Sequence, residues 1–479
     1  LGKAHRLLGR LVQAEHCFRQ AIALNPRDAK ALNNLAGVLK LHGQSAAALA
    51  AYQQALALDP GYADGFSNML FAMQYAPQVS SRDLFEAHRT YAQRFEIPCL
   101  AQWPKHLNAR EPNRRLKVGY VSADFRHHAV AYFIEPVLAS HDKGAFEVVC
   151  YYNGTLVDAF TERIKAVADQ WVPCQAMTDE QLAARTVADQ IDILVDLSGH
   201  TAGNRLPVFA RKPAPVQVTW LGYFGSTGLT AMDYRLTDAY MDPPGFADSI
   251  HTEKLMRLPF FSPFQPADCS PAVNELPALQ SGRLTLASMN SLAKLNPVVV
   301  ALWARILKVL TGSRMMLCNL GDGDTRALVL EMFAREGIEA DRLVIQPWLP
   351  MAQYLALHNQ IDLALDPFPY NGGTITNHSL WMGVPVVTLA GDRPVGRIGV
   401  ALMMRAGLPE FITQTEDEYL ACVLQQAQDL PRLNQIRLTL RERISANLGA
   451  SAAQMTVDIE AAYRRMWVDW CTTETARGL

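Results

Sequence analysis

A chain of 479 residues is too long for one hydrophobic core and points to two or three domains. Hydrophobic residues make up 49% and charged residues 19%, an ordinary globular balance, and no apolar run is long enough to span a bilayer, which argues against a membrane protein. The 44 Lys and Arg offset 46 Asp and Glu, and the net charge of −2 without a basic cluster argues against an electrostatic hold on nucleic acid.

The first 76 residues match themselves at an offset of 34: Gly9 with Gly43, Ala14 with Ala48, Phe18 with Tyr52, Ala21 with Ala55, Leu24 with Leu58, Pro26 with Pro60. That period, with small residues where helices approach and proline after the second helix, is that of tetratricopeptide hairpins. Leu32, Leu35 and Leu39 fill the first helix of the complete repeat. The chain opens Leu1-Gly2-Lys3 inside this pattern, without an initiator Met, and reads as truncated or processed. Ser80 to Glu96 predicts an amphipathic helix with Leu84, Phe85, His88, Tyr91, Ala92 and Phe95 on one side, docking the repeats onto the next domain. The eight cysteines are scattered without a C-x-x-C pair, so neither zinc nor a disulfide framework is expected, and a reducing cytoplasm is.

From Leu116 the pattern becomes short β-rich runs between helices: Leu116 to Ser122, Phe146 to Tyr152, Ile191 to Leu197 and Val216 to Leu221. After a proline-punctuated stretch comes a second series, at Leu284 to Ser288, Met315 to Asn319, Leu343 to Gln346, Ile361 to Leu365 and Val386 to Leu389. Such alternation predicts two Rossmann-like α/β lobes that bind ligand at strand carboxyl ends, in an interlobe cleft. The expected division is repeats at 1–76, a connecting helical segment at 77–113, an N-terminal lobe at 114–262, a linker at 263–280, a C-terminal lobe at 281–448 and a final helix and tail at 449–479.

The run Asp366-Pro367-Phe368-Pro369-Tyr370-Asn371-Gly372-Gly373-Thr374 joins a strand to a helix through a glycine turn. Glycines let the backbone approach an anion, and first-turn amides with the helix dipole stabilise its charge. A glycine pair alone is usually an ordinary turn. The run reads as a phosphate cradle, which a sugar nucleotide would fit. Asp322-Gly323-Asp324 looks like a metal-binding Asp-x-Asp but is taken as a polar turn, with no metal assigned.

These features, with Val118-Gly119-Tyr120-Val121-Ser122-Ala123-Asp124-Phe125, the stretch Pro213 to Tyr223 and Met232-Asp233-Tyr234, closely resemble the O-linked N-acetylglucosamine transferase family in a bacterial form. The resemblance spans roughly residues 1 to 465 and implies α-helical tetratricopeptide repeats followed by an α/β GT-B fold. It implies an inverting, metal-independent protein O-glycosyltransferase that needs no cofactor and moves N-acetylglucosamine from UDP-GlcNAc to Ser or Thr of intracellular proteins. Its partners would be the nucleotide sugar and protein or peptide acceptors, the latter held by the repeats.

Lys294 matches the family's catalytic lysine, whose ammonium neutralises the departing diphosphate; a solvated surface lysine is the plain alternative. His128 aligns with the histidine proposed as general base, with His127 the neighbour easily confused with it. Asn371, Gly372, Gly373, Thr374 and Thr376 fall to the diphosphate, with Ser291, Tyr354 and His378 elsewhere on the donor. Gly199, His200 and Thr201 are candidates on the sugar and acceptor side, or a simple turn after a strand.

Relative to the animal enzymes, His378 replaces a carboxylate near the ribose, Thr374-Ile375 a Thr pair, Gly373 and Tyr354 two histidines, and Ser291 a glutamine. Those departures leave two alternatives: a protein O-fucosyl- or N-glucosyltransferase using another nucleotide sugar, or a nucleotide-binding scaffold with little turnover.

Overall fold

The computed structural model describes residues 1–318, 320, 323–447 and 452–473. They form two compact units. One comprises Phe66–Phe71, Ser81–Gln265 and Gly449–Leu479; the other comprises Leu1–Gly65, Ala72–Ser80 and Pro266–Leu448.

The first of these holds the N-terminal lobe. Its strands are β1 (Leu116–Ser122), β2 (Phe146–Tyr152), β3 (Gln170–Pro173), β4 (Ile193–Asp196), β5 (Val216–Thr219), β6 (Tyr234–Asp238) and β7 (Lys254–Leu258), all parallel in the order β3-β2-β1-β4-β5-β6-β7. β1 and β4 are buried on both faces, which is why they read as continuous apolar runs. The order reverses direction between β1 and β4, so ligand is expected at the loops after these two strands.

Sequence pattern did not find β3, β6 or β7. β6 is fully buried yet carries Arg235, whose guanidinium donates to the Tyr223 and Gly225 carbonyls and pairs with Asp242. A buried arginine satisfied in this way breaks the apolar run that pattern searches rely on. β3 and β7 are edge strands, short or half-exposed.

The predicted helix after the repeats is present as Ser81–Phe95, and it packs on this lobe. His88 Nε2 lies 2.8 Å from the Tyr223 hydroxyl, while the Glu96 carboxylate accepts from the Thr230 and Ala231 amides. The final helix, Ala452–Thr473, joins the same core: Met455, Ile459, Tyr463, Met466 and Trp467 pack with Tyr120, Val148 and Val195. Trp467 Nε1 donates to Glu111 O, and the Arg114 guanidinium lies 4.6 Å from its ring centroid. The boundary drawn at 449–479 therefore separates in sequence what packing unites.

In the other unit, helices Gly2–Leu7, Leu11–Leu24, Ala29–Leu41 and Ser45–Leu58 pack in succession, with Ala14, Ala36, Ala48 and Ala55 wholly buried where they meet. The strands are β8 (Thr285–Ser288), β9 (Arg314–Leu317), β10 (Leu343–Ile345), β11 (Leu363–Leu365), β12 (Val386–Leu389) and β13 (Ile412–Thr413). They too are parallel, in the order β10-β9-β8-β11-β12-β13, with the switch between β8 and β11. The predicted strand Met315 to Asn319 ends at Leu317, and Asn319 lies outside the described residues.

Trp467→Ala removes the largest side chain that the last helix contributes to the N-terminal core. The expected cost is about 3–5 kcal/mol, read as a lower denaturant midpoint for this unit, with Trp470→Ala, a partly buried neighbour, costing less.

Candidate active site

The C-terminal lobe's switch point is organised by Asp366, the residue directly after β11. Its buried carboxylate accepts from the Gly372 amide at 2.7 Å and the Thr388 hydroxyl of β12 at 3.0 Å. The turn is thereby folded back over the strand end. Gly372 is obligatory there, because a Cβ would clash with Thr376 Oγ1 and sit 3.1 Å from Asp366 Oδ1. Asn371 is wholly buried and structural: its side chain donates to Pro367 O and accepts from the Gly399 amide.

The turn opens the helix Thr374–Trp381, whose N-cap is Gly373, with no side chain capping its first-turn amides. Gly373, Thr374 and Ile375 remain partly accessible. This combination of amide donors and a positive helix end suits an anion. Thr376 is buried against Gly372, so its hydroxyl lies beneath the turn.

Lys294 comes from the loop after β8. Its Nζ donates to Asn371 O at 2.6 Å and Asn290 Oδ1 at 3.3 Å, and stands 4.6 Å from the Tyr370 ring centroid. Burial lowers the ammonium to about 8, opposed by the Asp366 charge, and burial likewise pushes the Asp366 carboxyl up to about 7. Both shifts run toward the neutral forms, since each charge loses more hydration than its partner restores. The structure thus brings Lys294 onto the glycine turn, as a half-buried cation rather than a solvated one. Ser291 is exposed at the start of the same loop.

His378 and Tyr354 are both buried, with ring centroids 5.7 Å apart. Burial lowers His378 to about 4, so it is a neutral imidazole at physiological pH and offers one donor and one acceptor. Of Asp322-Gly323-Asp324, Asp322 lies outside the described residues, and Asp324 accepts from Gln13 at 2.9 Å.

In the N-terminal lobe the loop after β1 carries His128, with 39% of its side chain exposed. Its Nδ1 is 3.3 Å from the Val130 amide and 3.5 Å from Asp124 Oδ2. These contacts demand opposite tautomers. Accepting from Val130 puts the proton on Nε2, whereas donating to Asp124 leaves the Nε2 lone pair free to act as a base. Burial lowers the His128 pKa and Asp124 opposes that shift. His127 is turned away: its Nε2 lies 3.1 Å from the Tyr132 hydroxyl and its ring packs against Phe160.

The loop after β4 repeats the C-terminal arrangement. Asp196 accepts from the Ser198 and Gly199 amides and the Thr219 hydroxyl. Gly199 has φ +52, and a Cβ there would clash with Tyr223. His200 is wholly buried, Nε2 donating to Thr227 O and Nδ1 accepting from Ser67 Oγ, each at 3.0 Å. A ring with both nitrogens engaged and its pKa lowered to about 3 by burial serves packing. Thr201 turns its hydroxyl back to Ser198 O. Sequence reasoning assigned no role to the carboxylates Asp196 and Asp366; an acidic residue closing an apolar strand just before a glycine turn was the available signal.

The glycosyl transferase family 41 profile matches residues 96–263 and 275–455, and tetratricopeptide profiles match 1–28 and 17–50. The Petunia hybrida protein named "Probable UDP-N-acetylglucosamine--peptide N-acetylglucosaminyltransferase SPINDLY" is 37% identical over 412 residues, 84% of this chain and 44% of its own length. The Arabidopsis thaliana protein of the same description named SEC is 28% identical over 80% of this chain and 40% of its own. Among solved structures, a lysine-to-methionine variant of the Thermobaculum terrenum O-GlcNAc transferase superposes with a TM-score of 0.94 at 38% identity, covering 99% of this chain and 91% of that one. The chain spans less than half the length of these curated plant relatives.

Gly372→Ala is expected to weaken UDP and inorganic pyrophosphate binding about tenfold or more, roughly 1.4 kcal/mol, by displacing the turn. Calorimetric titration of both ligands checks this, with Gly312→Ala, whose Cβ meets no atom within 4 Å and whose φ is not left-handed, as a control for loss of a glycine elsewhere.

Proposed function

The chain belongs to glycosyltransferase family 41, and from that premise we propose that it is an inverting, metal-independent protein O-glycosyltransferase moving N-acetylglucosamine from UDP-GlcNAc to Ser or Thr hydroxyls. The enzyme is a glycosyltransferase of GT-B type. The observation that carries the finer reading is Lys294 held on the Asn371 carbonyl beside an uncapped helix start.

In this reading the acceptor oxygen attacks the anomeric carbon as the bond to the diphosphate oxygen breaks. Charge gathers on the diphosphate, where the Lys294 ammonium and the amides of Gly373, Thr374 and Ile375 meet it. A fixed cation and preoriented dipoles stabilise such charge without reorganisation. The acceptor proton passes to His128 Nε2 in the tautomer whose Nδ1–H points to Asp124. The repeats would hold protein acceptors, and a cytoplasmic setting fits the free thiols. Among the described residues no helix is long and apolar enough to cross a membrane.

A second reading, transfer from another nucleotide sugar, is favoured by one feature. The resemblance places a carboxylate near the ribose where this chain has neutral His378, and two acceptor oxygens are not replaced by one ring nitrogen. A thermal-shift panel of UDP, GDP and their common sugars separates the two, since selective binding stabilises the folded state by mass action. Stabilisation by guanosine nucleotides alone would sink the UDP assignment.

Lys294→Ala is expected to lower transfer about 100-fold or more, corresponding to roughly 2.7 kcal/mol or more, measured by intact mass of a glycosylated acceptor; undiminished transfer would defeat the assignment. The ammonium is present below its pKa and lost above it. The alkaline limb of kcat/KM, which reports the free enzyme, should therefore fall near pH 8, and that of kcat at higher pH, where bound diphosphate holds the proton on Lys294.

A further inference from the structure

Lysine is a poor fixed cation by itself, because its four-carbon stem is mobile and ordering it costs conformational entropy. What restrains Lys294 lies partly outside its own lobe's strand-end loops. Beyond the two hydrogen bonds already described, its Nζ faces the Tyr370 ring, and Tyr370 packs on Tyr75 with ring centroids 4.7 Å apart at 41°. On Tyr75 stands a second ammonium, Lys40 of the repeat helix Ala29–Leu41, at 5.4 Å from the ring centroid. Two cations thus flank a pair of aromatic rings that connects a repeat helix to the lysine of the donor loop.

Two further contacts anchor the same segment. The half-turn that carries Tyr75 comes after the helix Ala63–Met73, and buried Arg393 donates to Met73 O at 3.0 Å and to Ala76 O at 3.3 Å, adding to the backbone bonds those carbonyls accept from the Ala76 and Val79 amides. Gly43, in the turn between the repeat helices Ala29–Leu41 and Ser45–Leu58, has φ +73 and lies so close to the Lys294 loop that an added Cβ would clash with Leu295 O. The helix Ala29–Leu41 also packs on the turn Leu292–Lys294 itself.

We propose that Tyr75 and Tyr370 are positioning residues for Lys294, so that the repeat segment forms a wall of the donor loop as well as a surface for acceptors. The proposal rests on the role given to Lys294 above. Tyr75 touches the ring of Tyr370 and acts through it. Cation–π attraction holds the ammonium over Tyr370, and the Tyr75 ring holds Tyr370 in place. The phenol groups stay neutral, since burial raises both well above the usual tyrosine range. Conservative replacement by Phe keeps both rings; replacement by Leu keeps bulk and loses the faces.

The test compares Tyr75→Leu with Tyr75→Phe in the full chain. Tyr75→Leu is expected to lower kcat about tenfold with donor KM changed less than about twofold, and Tyr75→Phe to restore kcat to within about twofold of the parent. In a double-mutant cycle, Tyr75→Leu should add less than about twofold to the loss in Lys294→Ala, because both act through one ammonium. A readout independent of turnover is the rate at which Lys294 is acylated by an amine-reactive ester, followed by peptide mass spectrometry. Tyr75→Leu should speed it at least about threefold, and Tyr75→Phe should not. Unchanged acylation in Tyr75→Leu overturns the proposal, as does equal impairment of the Leu and Phe variants. If Lys294→Ala leaves transfer intact, the role of Lys294 fails, while the acylation rates still decide whether Tyr75 positions it.

Discussion

A buried carboxylate at the end of a central strand is the constraint on which the glycine turn of each lobe depends. Asp366 and Asp196 occupy equivalent places in two sheets wound in the same order, and each accepts a glycine amide from the turn after its strand and a threonine hydroxyl from the adjacent strand. An isolated buried charge costs several kcal/mol, whereas a hydrogen bond to a charged group contributes about 1.5–3 kcal/mol. Two or three such bonds therefore offset most of the burial cost, and only when the turn adopts the one shape that aims its amides at the carboxylate. The anion specifies the turn. The turn in turn specifies glycine at Gly372 and Gly199, where a Cβ would clash.

The two carboxylates differ in what stands beside them. Asp366 has the Lys294 ammonium within electrostatic reach, and each opposes the other's drift toward neutrality. Among the described residues no comparable cation acts on Asp196; burial raises it to about 6, and the charge of Glu253 adds to that rise. The surroundings of the two turns differ accordingly. In the C-terminal lobe the turn stands beside a cation and presents amide donors suited to an anion. In the N-terminal lobe Arg126 is neutralised by Asp124, and the loop after β1 presents an imidazole instead.

Much of this was legible because it is local. The 34-residue period names residues that meet within one hairpin, and the alternation of apolar runs with helices reports strands buried on both faces, so the repeats and the central strands were found within a few residues. The glycine turn and Lys294 were legible as motifs. What failed was what depends on partners distant in sequence. Arg235 reads as a surface residue until the carbonyls of Tyr223 and Gly225 are brought to it. Trp467 reads as the end of a tail until Glu111 and Arg114 meet it. His200 sits in a motif that suggests a ligand, yet Ser67 and Thr227 engage both ring nitrogens, and the first of these lies 133 positions away.

His128 shows how the remaining chemistry turns on a single proton. The Val130 and Asp124 contacts are both long for hydrogen bonds, at 3.3 and 3.5 Å, so neither commits the ring strongly. Val130 N–H is an orphan donor at the start of the helix Ala129–Ser140, and the imidazole caps it. The capping tautomer carries its proton on Nε2 and cannot accept a second one there. A hydroxyl approaching Nε2 to lose its proton favours the other tautomer, with Nδ1–H directed to Asp124, whose negative charge also stabilises the imidazolium that results. Asp124 is itself fixed, its amide donating to Ser122 Oγ and its carboxylate accepting from Arg126. In the proposed transfer the cap would thus be the resting arrangement, and Asp124 the partner of the protonated ring.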